Sequence, residues 1–185
     1  WKCHKLVIWT CLKDISLRHL LSKHSANNKK GVLQEAATGI ASQVESQIHA
    51  IREREQYGLR GARSVILSVG IDKMRRETFL RYIESRDQRL EFPGARGFGF
   101  IRRVSPDGME DFLQTTRGDG VLDFQVRQLQ EHSGANYVIQ YIEPFEPNKL
   151  SLGFDIASET LRREAADAAM RSGVAQLTAP ITLVQ

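Results

Sequence analysis

The stretch Phe92-Pro93-Gly94-Ala95-Arg96-Gly97-Phe98-Gly99-Phe100-Ile101-Arg102-Arg103-Val104 decides the fold of this chain. Its X-Pro-Gly turn opens directly into an alternating strand, predicted over residues 98–104. A dinucleotide-binding loop follows a strand and opens a helix, whereas this stretch follows a helix and opens a strand. Its glycines therefore favour a packing role, in which small side chains let another backbone approach closely. The small residues are Gly94, Ala95, Gly97 and Gly99.

Upstream of this stretch, two helices are predicted. The first is a long amphipathic helix over about residues 33–60, because apolar residues recur there at steps of three and four. Gly58 and Gly61 are expected to loosen its end. The second covers about residues 72–90, with Asp72 as its N-cap. The stripe of the long helix consists of Leu33, Ala37, Ile40, Val44, Ile48 and Ile51.

Downstream, short strands and helices alternate without a repeat. Gly173 stands where a helix C-cap glycine is expected. Helices followed by mixed short elements indicate an α+β fold. The predicted elements are a turn at residues 105–108, a helix at 109–116, a strand at 137–142, a helix at 158–171, and short strands at 174–178 and 181–184.

Charge argues against a nucleic-acid partner. The 185-residue chain has a net charge of +4 and a pI of about 9.2. Residues 1–30 carry seven Lys/Arg and one acid, however, while residues 31–185 carry 19 Lys/Arg and 21 acids. The remainder of the chain thus has no excess positive charge to neutralise phosphates. Because residues 1–30 also hold both Cys and both Trp, this head is predicted to lie outside the fold, which would comprise residues 31–185.

No catalytic or metal-binding pattern stands out. Cys3 and Cys11 lack disulfide or metal spacing, and His49 and His132 are isolated in the sequence. We expect no enzyme activity, no metal and no cofactor.

Asp155 is the one candidate for a functional side chain. It lies between an apolar run that ends at Phe154 and the helix predicted at residues 158–171. Its carboxylate could cap that helix. Alternatively, it could face an apolar pocket and accept hydrogen bonds from ligand N–H groups. The residues alone leave both interpretations open.

Several motifs occur in an order that resembles the CHASE domain, a sensor module of receptor histidine kinases and membrane-bound diguanylate cyclases. The resemblance covers roughly residues 33–185 and implies a stalk helix followed by PAS-like lobes. The motifs are Phe92-Pro93-Gly94 with Gly97-Phe98-Gly99, Tyr141-Ile142-Glu143-Pro144, Gly153-Phe154-Asp155 before a helix with Arg162, Arg163 and Ala168-Ala169, and Ser172-Gly173 before Leu177-Thr178-Ala179-Pro180-Ile181.

The resemblance also implies a ligand site. In the cytokinin receptors of the family, an aspartate before this helix holds the ligand ring, and Asp155 looks like that residue. A leucine on the following strand packs on the ring and looks like Leu177. We therefore predict that Asp155 and Leu177 line one pocket, with Tyr141 and Phe154 as neighbours.

The predicted fold is α+β: a stalk helix at about residues 33–60 and a PAS-like mixed α/β ligand lobe at about 72–185, truncated at its C-terminus. The predicted function is extracytoplasmic sensing of a small ligand by a membrane-bound receptor, either a histidine kinase or a diguanylate cyclase/phosphodiesterase. The sensor would be a periplasmic domain of an inner-membrane protein and would form a homodimer through the stalk. The resemblance implies a membrane helix before residue 33 in the parent receptor, and this chain is expected to lack both that helix and the output domain. The alternatives are a helical protein-interaction module without a ligand and an uncharacterised enzyme.

Overall fold

The computed structural model describes residues 7–12 and 30–182. A long N-terminal helix leads into a mixed α/β fold, as the α+β pattern predicted. The elements are β1 (Val7–Leu12), α1 (Lys30–Val69), α2 (Arg76–Glu84), α3 (Gln88–Glu91), β2 (Ala95–Val104), α4 (Met109–Gly118), β3 (Asn136–Glu143) and α5 (Thr160–Ser172), with 3₁₀ turns at Pro106–Gly108, Glu146–Ser151 and Ile156–Ser158.

The three strands form an antiparallel sheet in the order β1-β2-β3. The register between β2 and β3 shifts once, because Phe100 pairs with Tyr141 whereas Ile101 pairs with Ile139. Gln140 is therefore an extra residue, a β-bulge in β3. Since side chains alternate along a strand, the bulge places Tyr141 and Ile139 on opposite faces of the sheet.

Two apolar clusters cover the two faces. The first, which we call the aromatic cluster, packs α1 and α2 on the sheet through Ile66, Met74, Phe79, Ile83, Phe92, Phe98, Phe100 and Tyr141. The second, the α5 cluster, packs α5 on the sheet through Ile101, Tyr137, Ile139, Ile142, Phe154, Ile156, Ala157 and Ala166. A smaller group joins α4 to the sheet through Val104, Phe112, Phe124 and Val138.

The head differs from its prediction where the structure describes it. Residues 7–12 form β1, which pairs with β2 from Val7 opposite Ile101 to Leu12 opposite Ala95. Composition alone separated the head from the fold, and composition carries no information on which strand a distant segment joins. The remaining predictions on the head lie outside the described residues.

The long helix runs further than predicted, to Val69. A Cβ atom at Gly58 would lie 2.7 Å from the Phe92 ring, and one at Gly61 would lie 2.3 Å from the Tyr82 hydroxyl. These glycines thus let α2 and Phe92 approach α1 closely and do not end the helix. The predicted second helix is split into α2 and α3. Asp72 does not cap it, since the N-cap is Arg75 and Asp72 pairs with Arg102.

Three local predictions have a clear outcome. Gly97 does admit a second backbone, because its Cβ would lie 2.8 Å from the Glu143 carbonyl oxygen. Gly173 caps α5 at a φ of 71°, as predicted. The strand predicted at residues 174–178 is wrong, since the chain there is irregular and largely exposed.

Candidate functional site

Asp155 is positioned by a short extended segment that lies between β3 and Arg127. On one side Gly153 N donates to the Ile139 carbonyl at 2.8 Å, and Ile139 N donates to the Phe154 carbonyl at 3.0 Å. On the other side Asp155 N donates to the Arg127 carbonyl at 2.9 Å. Backbone bonds on both sides therefore fix the place from which the Asp155 side chain projects.

Gly153 makes this arrangement possible. Its φ is 76°, and a Cβ atom there would lie 2.1 Å from the Gln125 carbonyl oxygen. Residues other than glycine rarely adopt this backbone conformation, and no side chain fits beside that oxygen. The glycine two positions before the aspartate is thus a condition for the site.

The Asp155 carboxylate is fully buried and accepts five hydrogen bonds. Its Oδ1 accepts from the backbone N of Tyr137 at 2.7 Å and of Ala157 at 3.0 Å. Its Oδ2 accepts from Gln128 Nε2 at 2.9 Å, His132 Nε2 at 2.8 Å and Asn136 Nδ2 at 2.7 Å. We call Asp155 and these five donor residues, Gln128, His132, Asn136, Tyr137 and Ala157, the carboxylate cluster.

The hydrogen bonds keep Asp155 ionised. Burial would raise the pKa of Asp155, because it disfavours the charged form. The donors of Gln128, Tyr137, Asn136 and His132 outweigh that effect and hold the pKa below its usual value. Asp155 is therefore a buried anion at neutral pH.

The helix-cap interpretation of Asp155 holds in a changed form. Its bond from Ala157 N caps the 3₁₀ turn Ile156–Ser158. Helix α5 begins only at Thr160, and its N-cap Glu159 makes no side-chain capping bond. The Asp155 side chain also accepts bonds from β3 and from Gln128, so its structural role is to connect these segments as well as to cap the turn.

The four residues predicted to line one pocket lie in different places. Phe154 is buried in the α5 cluster, with the Arg162 guanidinium 5.3 Å from its ring centroid. Tyr141 belongs to the aromatic cluster on the other face. Leu177 follows α5 and is 61% exposed. Only Phe154 and Asp155, which are neighbours in the chain, are brought together, and a ligand role for the set stays a prediction.

Sequence reasoning missed the donors of the carboxylate cluster. Gln128 and His132 lie 27 and 23 residues before Asp155, in a stretch without regular structure. Asn136 opens β3 and carries no signal of its own. The one available signal was His132 in a polar, glycine-containing stretch, and an isolated His gives no indication of its partner.

A second polar cluster surrounds Tyr141. Its hydroxyl donates to Asp119 Oδ2 at 2.7 Å and contacts the Met74 carbonyl at 3.1 Å. The same Asp119 oxygen accepts from Arg76 N at 2.8 Å, so it caps α2 from the end of α4. Burial, and then the bond to Asp119, raise the pKa of Tyr141, which stays protonated.

Glu143 lies near the same helix end. Burial raises its pKa, and the Arg76 guanidinium, 3.9 Å away, only partly offsets that effect. Arg76 also lies over the Phe145 ring, 4.4 Å from its centroid. The environment of Glu143 thus disfavours the ionised carboxylate, whereas that of Asp155 favours it.

Two further properties of the described residues bear on function. Within residues 7–12 and 30–182, no group of His, Cys, Asp and Glu is arranged to hold a metal ion. Among the helices described, none combines the length and the apolar character that crossing a bilayer requires.

The comparison with protein families matches the CHASE domain over residues 72–185, from just before α2 to the last residue. This match covers more than half of the chain, and the chain belongs to the CHASE domain family. CHASE domains are extracellular sensor domains of membrane-bound signalling receptors and are not catalytic. No curated protein matches this sequence.

Proposed function

We propose that this domain senses a small ligand in the periplasm through the region of Asp155, and that it belongs to an inner-membrane receptor. The observation that carries the proposal is the buried Asp155 anion, which adjoins the α5 cluster. It accepts bonds from Gln128 and His132, two side chains of residues 127–135, which we call the outer loop. A ligand site typically combines apolar walls with a few placed polar groups. Asp155 and Phe154 would supply both, and Leu177 would close over the ligand.

The output would be a histidine kinase or a diguanylate cyclase/phosphodiesterase, and the signal would pass through α1. Residues 34–54 of this helix are exposed apart from the partly buried Val44 and Ile51, and Ile40 is 63% and Ile48 42% exposed. The face that packs on the body at Glu55, Gly58, Ala62 and Ile66 continues into this stripe at helical spacing. A second copy of the chain would cover the stripe, and the two helices would diverge near Glu55, where each body takes over the same face.

The ligand part is tested with a fragment panel of amines, amides and nitrogen heterocycles, using ligand-observed NMR and calorimetry on the purified chain. We expect at least one class to bind the natural sequence and to lose binding in Asp155→Asn, provided that the variant keeps its near-UV spectrum. Binding that is unchanged in a folded Asp155→Asn variant would exclude the Asp155 site.

The dimer part is tested by sedimentation. Changing Val44 and Ile48 to Glu is expected to shift the chain toward monomer, because two charges would enter an apolar seam. The matched control changes Ser42 and Ser46, exposed residues on the other side of α1, to Glu. A chain that is monomeric before and after both changes would rule out self-pairing through the stripe.

A further inference from the structure

The three side chains on Asp155 Oδ2 fall into two kinds. Asn136 is buried and belongs to β3. Gln128 is exposed, and His132 keeps 14% of its side-chain surface exposed. The inner donor is therefore part of the fold, whereas the outer two reach the carboxylate from the surface.

We infer that Gln128 and His132 form a latch that a ligand with two N–H donors replaces on Asp155 Oδ2, while Asn136 and the two backbone donors stay in place. This inference rests on the proposed function, since it names the ligand chemistry and the gating of the same site. The latch nitrogens lie 3.3 Å apart. They fill the space in which such a donor group would bind.

The anchoring of the outer loop allows the latch to open. Around Gln128, Arg127 N donates to the Gly153 carbonyl at 2.9 Å, and Leu129 N donates to Ser158 Oγ at 3.0 Å. Gln128 can therefore leave by side-chain rotation alone. In residues 130–135, by contrast, no backbone-to-backbone hydrogen bond is made within the described part of the chain. His132 can leave together with that segment.

The buried position of the His132 ring also carries an energetic cost. Because an ionised carboxylate only accepts, Nε2 of His132 carries the proton of this bond, and Nδ1 must find a partner of its own. That Nδ1 is buried and has no hydrogen-bond partner among the described residues. A buried polar atom without a partner costs free energy, which is recovered when the ring turns into water. The latch is thus weaker than its 2.8 Å bond to Asp155 suggests.

The chemistry of the replaced donors defines the ligand class. Gln128 and His132 present N–H groups to a buried anion, so a planar cation with two N–H donors would replace both and add charge. Leu129, which follows Gln128 in the chain and is 59% exposed, would contact an apolar body on that cation. We expect an amidinium or guanidinium group on a small apolar frame, and we expect carboxylates to be rejected.

The test uses the full chain and three probes of equal shape: benzamidine, benzamide and benzoate. Calorimetry compares the natural sequence with the Gln128→Ala/His132→Ala double variant, while hydrogen exchange follows residues 129–135. We expect benzamidine to bind, benzamide to bind more weakly and benzoate not to bind. The double variant should bind benzamidine about tenfold more tightly, because two competing hydrogen bonds are gone.

Unchanged or weaker benzamidine binding in the double variant would overturn the latch. So would binding that leaves the exchange of residues 129–135 unaltered in the natural sequence. Gln128→Ala alone, a change to an exposed side chain, repeats the comparison if the double variant is poorly folded. If benzamidine fails and another fragment binds in an Asp155-dependent way, the latch chemistry is wrong while the proposed function stands.

Discussion

The two polar clusters of this domain, around Tyr141 and around Asp155, are built in different ways. The Tyr141 hydroxyl contacts the Met74 carbonyl, just before α2, and the carboxylate of Asp119, the residue that caps the end of α4. Asp155 accepts from two backbone N–H groups on Oδ1, and on Oδ2 it accepts from the buried Asn136 and from Gln128 and His132. The first cluster is a junction between helices and sheet. In the second, two of the donors belong to side chains outside the helices and strands, and the proposed sensing role requires that these two can leave without unfolding of the domain.

The largest effect is expected for Gly153→Ala, which should lower the free energy of unfolding by about 3 kcal/mol or more. The change combines an unfavourable φ of 76° with a contact of 2.1 Å to backbone. Gly173→Ala is the matched control: its φ is 71°, but its Cβ would meet nothing within 4 Å. Denaturant unfolding should show a cost of only about 1 kcal/mol for it. Equal costs would mean that the Gln125 contact does not constrain the site.

Asp155→Asn should come next, with a loss of about 2–4 kcal/mol. Asp155 uses both oxygens as acceptors, so the amide must turn its NH₂ toward donors that then lose their partner. An asparagine at this position is therefore a poor substitute even in a purely structural role.

Asp119→Asn sharpens this comparison. Both donors to Asp119 meet the same oxygen, Oδ2, and an amide oxygen can keep them. We expect it to cost about 1 kcal/mol by thermal and denaturant unfolding. If the two Asp→Asn changes cost the same, the two clusters do not differ in the way proposed.

The sequence predicts those parts of the fold that local physics determines. The long helix follows from a stripe of periodic apolar residues, the strand of β2 from alternation, and the end of α5 from Gly173. Each needs only neighbouring residues. The prediction for Gly58 and Gly61 is wrong because their role depends on Phe92 and Tyr82, which are distant in sequence.

The site is less predictable than the fold for the same reason. Asp155 could be singled out from its place before a helix and from the family resemblance, but its donors come mainly from positions 128 to 137. The bulge at Gln140 is equally non-local. It separates Tyr141 from Ile139 and thereby moves Tyr141 into the aromatic cluster. A one-residue shift in a strand has no clear sequence signal, although it reverses every side chain beyond it.

Tyr141→Phe should cost about 1–2 kcal/mol, because the hydroxyl is buried and bonded to Asp119. The ring stack on Phe100, with centroids 5.5 Å apart, is kept. Ligand binding should be unchanged. Scanning calorimetry measures the loss of stability, and titration calorimetry on the same sample measures the binding. Altered binding would place Tyr141 in the pocket after all.

The smallest effect is expected for Glu143→Gln, and it depends on pH. Burial raises the pKa of Glu143, so the folded state holds its proton more tightly than the unfolded state. The stability of the natural sequence should therefore fall as pH rises above the unfolded value of about 4.3 and level off above the folded pKa.

Asp155, whose pKa is lowered, makes the stability change with pH in the opposite direction. Its contribution is present above about pH 3.9 and is lost as pH falls through the lower folded value. Glu143→Gln removes only the first effect. Denaturant unfolding at about pH 4 and about pH 7 should thus show the variant gaining on the natural sequence toward the higher pH, by about 1 kcal/mol or less. The control is Glu146→Gln, an exposed side chain. If the difference in stability between Glu143→Gln and the natural sequence is the same at both pH values, Arg76 fully compensates for the burial of Glu143. Glu143 and Asp155 would then not change the stability in opposite directions as pH rises.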